Sequence, residues 1–135
     1  MPRIAAQAGP ITGGVDTHAE VHVAAVVDRV GRVLGTQAFP ATAAGYRAAL
    51  AWMKLHGELA RVGVEGTGSY GAGLARYLAG CGVAVAEVIR PNRQARRQRG
   101  KSDAADAVAA AVAALRGEAS GRPKSRDGQP SRSGR

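Results

Sequence analysis

The rhythm of apolar and polar positions changes twice along the chain. Residues 11–17, 21–27 and 33–39 are short runs rich in Val, Ile and Thr, separated by the polar clusters His18-Ala19-Glu20 and Asp28 to Arg32. Short β-branched runs bounded by tight polar turns predict strands, and three in succession predict an antiparallel meander. Pro40 ends the third run. Between residues 41 and 57, Tyr46, Leu50, Met53 and Leu55 fall near helical spacing, with Thr42 placed to cap the start and Gly57 to stop the end. Residues 61–65 read as a short strand that ends in Glu65 and runs into the glycine-rich turn Gly66-Thr67-Gly68-Ser69-Tyr70-Gly71. A second helix over 72–80 turns Leu74, Tyr77 and Leu78 inward, and a fifth strand spans 83–89. The alanine-rich run 103–115 predicts a third helix, with Ser102 as its N-cap.

Three meander strands followed by alternating helices and strands is the order of the ribonuclease-H-like fold, an α/β mixed sheet with helices packed against it. One domain over 11–115 is expected, preceded by a frayed lead-in at 1–10 and followed by a disordered basic tail at 116–135. The last helix sets a puzzle. At 100° per residue, Val108, Val112 and Leu115 form one stripe while Asp103 and Asp106 fall nearly opposite it. The alanines leave either face free to pack, so the stripe is expected to meet something the chain does not show in full.

Charge sharpens this picture because it is unevenly spread. The chain of 135 residues has a net charge of +9, of which the segment 90–101 carries +6 and residues 116–135 carry +4, leaving −1 elsewhere. A near-neutral body with its positive field in one loop and one tail is the footprint of a nucleic-acid binder. Arg90, Arg93, Arg96, Arg97, Arg99 and Lys101 arrive with no acid among them, and Pro91 and Gly100 near the two ends of the segment mark it as a loop suited to phosphate. The single cysteine, Cys81, excludes an internal disulfide framework and is expected to be a small buried group near a helix end. No apolar run is long enough for a membrane span or a signal peptide, so a cytoplasmic, nucleoid-associated protein is expected.

The candidate chemistry lies in the carboxylates. Asp103 and Asp106 are three apart and share a helix face, although acids in a first turn are also what the helix dipole favours. Asp16 ends the first strand and Glu65 the fourth, and each alone has a turn-forming explanation. Together, four carboxylates brought to one sheet edge repel and call for a counter-charge. Hard divalent cations supply it: Mg²⁺ takes carboxylate and water at about 2.0–2.1 Å, and two such ions about 3.5–4 Å apart clamp both oxygens of a phosphodiester displacement.

Gly14-Val15-Asp16-Thr17-His18, Val62-Gly63-Val64-Glu65-Gly66-Thr67-Gly68-Ser69-Tyr70 and Lys101-Ser102-Asp103-Ala104-Ala105-Asp106-Ala107 resemble the acidic motifs of the DEDD transposases of the insertion-sequence one-ten group, relatives of the Piv-type DNA invertases. Residue by residue, Asp16, Glu65, Asp103 and Asp106 match the family's D, E, D and D, and the resemblance covers about residues 11–115. It implies a RuvC-like amino-terminal domain whose four acids are catalytic and bind Mg²⁺ (or Mn²⁺). It further implies cooperation with a carboxy-terminal domain bearing a nucleophilic serine, and DNA recombination guided in several members by a structured RNA. DNA and guide RNA would be the partners of the arginine loop, and a homo-oligomer the assembly. Since no such serine domain follows residue 115, a truncated transposase unable to complete strand exchange alone is expected.

Two rivals remain open at this level. An actin-like ATPase shares the sheet order, but His18-Ala19-Glu20 lacks the glycine and hydroxyls that approach phosphate. A non-catalytic nucleic-acid module would keep the arginine loop and make the acids structural. The histidines receive structural roles: His22 pointing outward on its strand, His56 near a helix end, and His18 at most behind the metal ligands. Tyr70, opening a helix, is expected to pack inward.

Overall fold

A computed structural model describes residues 9–89 and 103–117. Residues 1–8 of the lead-in expected over 1–10, the basic segment from Arg90 to Lys101, the Ser102 cap and residues 118–135 of the tail expected over 116–135 lie outside the described residues, while Pro10 already belongs to the first strand and Arg116 to the last helix. The elements are β1 (Pro10–Thr17), β2 (Val21–Val27), β3 (Val33–Pro40), α1 (Ala43–Lys54), β4 (Glu58–Glu65), α2 (Ala72–Gly80), β5 (Val85–Val88) and α3 (Asp103–Arg116). The strands form one sheet in the order β3-β2-β1-β4-β5. β1 pairs antiparallel with β2 and β2 with β3, giving the meander, while β4 lies parallel to both β1 and β5. Parallel neighbours need crossovers, and the segments carrying α1 and α2 make them. This is the ribonuclease-H-like α/β architecture read from the element order.

Helices cover both faces. On one, α1 and α2 press Ala49, Leu50, Met53, Leu74 and Leu78 against Ile11, Val15, Val62 and Val64, all buried. Burying a leucine such as Leu74 or Leu78 contributes about 1.5–3 kcal/mol. The other face is built from small residues. There α3 lays Ala107, Ala110, Ala111 and Ala114 on the sheet, all buried. A Cβ at Gly14 would overlap the Ala107 carbonyl and the Ala111 amide, and one at Gly63 would stand 2.6 Å from the Ala110 carbonyl. The helix backbone therefore rests almost directly on β1 and β4.

The alanine face wins over the Val108/Val112/Leu115 stripe because only alanine permits that approach. The stripe is left half-buried at the helix flank. Thr42 caps α1 as expected, its hydroxyl accepting from the Gly45 amide at 3.1 Å. α1 stops at Lys54 rather than 57, and Leu55 is exposed. β4 starts three residues earlier than its apolar pattern indicates, because Glu58 and Leu59 pair with Pro10 and Ile11 of β1. Tertiary pairing thus overrides the helix preference of Glu-Leu-Ala. β5 is shorter than expected, since the Val83 amide turns back to donate to the Leu78 carbonyl at 3.0 Å.

Three side chains depart from expectation. His22 is buried rather than outward, its ring stacked on Tyr46 with centroids 5.8 Å apart and planes 4° from parallel. β2 is covered on both faces, so alternation alone does not expose a residue there. Tyr70 is 58% exposed, because the Gly66 turn lifts it off the sheet before α2 begins. Cys81 is exposed at the C-terminal end of α2, past the last turn that faces the core.

Candidate metal centre

The parallel register of β1 and β4 sets the first two acids side by side. Val15 pairs with Val64, so Asp16 and Glu65 are the next residues along, both at strand C-terminal ends. The Thr17 hydroxyl ties these ends together by donating to the Glu65 carbonyl at 2.6 Å. Gly66 then leaves β4 with φ of 85°, where a side chain would be strained and would also crowd the Thr17 hydroxyl.

Alternation fixes which way the acids face. Asp16 is two residues past Gly14 and Glu65 two past Gly63, so both side chains project to the face on which α3 lies. α3 brings the other two acids to the same place, since Asp106 precedes the Ala107 that rests on Gly14 and Asp103 begins the helix one turn earlier. Asp16, Glu65 and Asp106 are 0%, 3% and 4% exposed, while the Asp103 side chain is 53% exposed. Burying carboxylates in this number is costly without positive charge or donors near them. The first turn of α3 contributes its dipole, which favours negative charge at that end.

A close approach of potential ligand atoms involves His18, to which sequence reasoning assigns at most a place behind the metal ligands. His18 Nε2 stands 2.8 Å from Asp16 Oδ2 and 3.3 Å from Asp103 Oδ1. One ligand atom from each of Asp16, His18 and Asp103 lies within 4.8 Å of the others. The signal was available: His18 is two residues from Asp16 along an extended chain, the spacing that shares a sheet face. Its backbone is held by a hydrogen bond to the Val21 carbonyl at 3.1 Å across the turn, which aims the ring back over the strand end.

The donor set fits a divalent cation. Oxygen ligands from carboxylates suit Mg²⁺ or Mn²⁺, and an imidazole nitrogen is compatible with Mn²⁺ and later transition ions. The structure places Asp16, Glu65, Asp103 and Asp106 on one face at one end of the sheet. The nucleic-acid candidates Arg90, Arg93, Arg96, Arg97, Arg99 and Lys101 lie outside the described residues.

Sheet order and acid placement together define a ribonuclease-H-like domain with acids gathered where the central parallel strands end. Comparison with protein families agrees: the model of the DEDD transposases of the IS110 group, described as Transposase, matches residues 13–129. The chain belongs to this family of transposases. Among curated proteins, none matches the chain. Membership implies DNA as the partner and use of a divalent metal. No helix among the described residues is long and apolar enough to cross a membrane.

Proposed function

We propose that the domain binds one or two divalent cations, Mg²⁺ or Mn²⁺, through Asp16, Glu65, Asp103 and Asp106, and acts there on the phosphodiester backbone of DNA during recombination. The observation that carries this reading is the burial of Asp16, Glu65 and Asp106 on one sheet face, with Asp103 and His18 at its open side. Three buried acids with a fourth beside them form a dense, oxygen-rich donor set of the kind hard divalent cations take. When bound, such an ion would polarise a phosphoryl oxygen and favour deprotonation of an attacking hydroxyl. The chain's own groups do the rest: Thr17 and Gly66 fix the spacing of the two strand ends, and Gly14 and Gly63 admit α3 closely enough to present Asp106 beside them.

The segment containing Arg90, Arg93, Arg96, Arg97, Arg99 and Lys101 would bind the polynucleotide backbone, DNA and a structured guide RNA alike. Its position in sequence, immediately before Asp103, supports this. A homo-oligomer bound to the nucleoid is the corresponding assembly.

The test is thermal melting of the full chain with and without Mg²⁺ or Mn²⁺. Ion at about one hundred times its Kd stabilises the fold by about 2.7 kcal/mol. That gain disappears in Asp16→Asn and Asp106→Asn. Melting indifferent to either ion, combined with retained DNA binding, would instead make the domain a non-catalytic nucleic-acid module. For the loop, engaging about five phosphates gives a slope of log affinity against log salt of about −4 to −5 on duplex DNA, and replacing Arg96, Arg97 and Arg99 together flattens it.

A further inference from the structure

His18 stands between two of the carboxylates rather than behind them. A histidine that merely orients a neighbouring carboxylate needs one nitrogen on one acceptor. Here a single nitrogen, Nε2, is shared between carboxylates from two elements, Asp16 on β1 and Asp103 on α3. Adjacent donors around an octahedral ion with bonds of ~2.1–2.2 Å stand ~3 Å apart. The separations of 2.8 Å and 3.3 Å bracket that edge length, so Nε2 lies at the spacing of a neighbouring ligand from each oxygen, and ligand atoms of all three residues fall within 4.8 Å of one another. The side chain is 29% exposed and Asp103 is 53% exposed, so this corner is also where an ion would enter.

Resting on the reading that Asp16 and Asp103 hold a divalent cation, we infer that His18 Nε2 is a direct ligand of that cation and biases the site towards Mn²⁺ and similar transition-metal ions over Mg²⁺ and Ca²⁺. Mg²⁺ and Ca²⁺ are hard ions that prefer oxygen and gain little from imidazole, whereas first-row transition ions accept it readily. Ligation uses the tautomer with its proton on Nδ1. No other histidine can take over the role: His22 is buried in its stack with Tyr46, and His56 turns Nδ1 to the Trp52 carbonyl at 3.1 Å.

Pulsed electron paramagnetic resonance of Mn²⁺ bound to the full chain tests this. The wild type shows modulation from a directly coordinated ¹⁴N that converts to the ¹⁵N pattern when the histidines are isotopically labelled, a check that needs no mutation. His18→Gln, which keeps the turn and a polar side chain, loses the nitrogen signal and about tenfold in Mn²⁺ affinity while its Mg²⁺ affinity, read by competition, changes much less. Bound Mn²⁺ without nitrogen modulation, in a site that Asp16→Asn abolishes, overturns the role of His18 and leaves the carboxylate site standing. Failure of the wild type to bind Mn²⁺ at all overturns both.

Discussion

The two faces of the sheet are built by opposite rules. On the α1/α2 face, bulky side chains such as Met53, Leu74 and Leu78 keep the helices at ordinary packing distance and are wholly buried. On the α3 face, glycine meets alanine and the helix backbone comes down almost onto the strands. The first arrangement maximises buried apolar surface. The second gives up most of that surface, and in return it presents the acids of a helix beside the acids of two strand ends. The contrast teaches that α3 is docked closely for position more than for stability, and that the glycines of β1 and β4 belong to the site although they carry no chemistry.

The largest effect that would break this contrast is steric. Gly14→Val places methyl groups against the Ala107 carbonyl and Ala111 amide, which are backbone and cannot turn aside. We expect a loss of more than about 4 kcal/mol, or outright displacement of α3, together with loss of any response to divalent ions. Chemical denaturation with and without Mn²⁺ measures both at once, and a folded variant with an intact ion response would show that close docking is unnecessary. Leu74→Ala on the opposite face is expected to cost about 2–5 kcal/mol through a cavity and yet leave ion binding intact. If Mn²⁺ affinity fell with it, the two faces would not be separable.

A smaller effect comes from His22, buried with its ring stacked on Tyr46. Burial chiefly lowers its pKa from the ordinary 6.5, and nearby His18 adds to this, while the Val21 backbone and Asp16 pull the other way. The folded chain therefore holds His22 neutral where the unfolded chain would protonate it. Its contribution is complete above pH 6.5 and is lost as pH falls from there towards the folded value. Urea melts of wild type and His22→Phe between pH 7.5 and 5 should show the wild type losing stability more steeply below 6.5. Parallel curves would contradict the cause assigned.

Much of this was legible in the residues. The β-branched runs of β1 to β3, the cap at Thr42 and the order of helices and strands yield the fold, because strong periodicity and turn chemistry agree there. Asp16, Glu65, Asp103 and Asp106 stood out through their motifs. The packing face of α3 did not, since hydropathy ranks Val108 and Leu115 above the alanines whereas the geometry rewards small size. His18 receives at most a place behind the metal ligands from its sequence position because a histidine beside a turn has many bland explanations, and its distances to two carboxylates emerge only in the fold. Glu58 to Ala60 fall outside the expected strand because their place in β4 comes from pairing with β1, a contact that no local pattern carries.

The most direct test of the claim that the acids converge on one cation is paramagnetic broadening in the nuclear magnetic resonance spectrum of the ¹⁵N-labelled chain on adding a trace of Mn²⁺. β4 supplies an internal control, for it bears Glu65 at one end and Glu58 at the other, about 23 Å apart along the strand. The account predicts that amides of residues 16–18, 65–66 and 103–107 broaden first and that those around Glu58 broaden last. Broadening that begins at Glu58, or that spreads over the acids without preference, would contradict it.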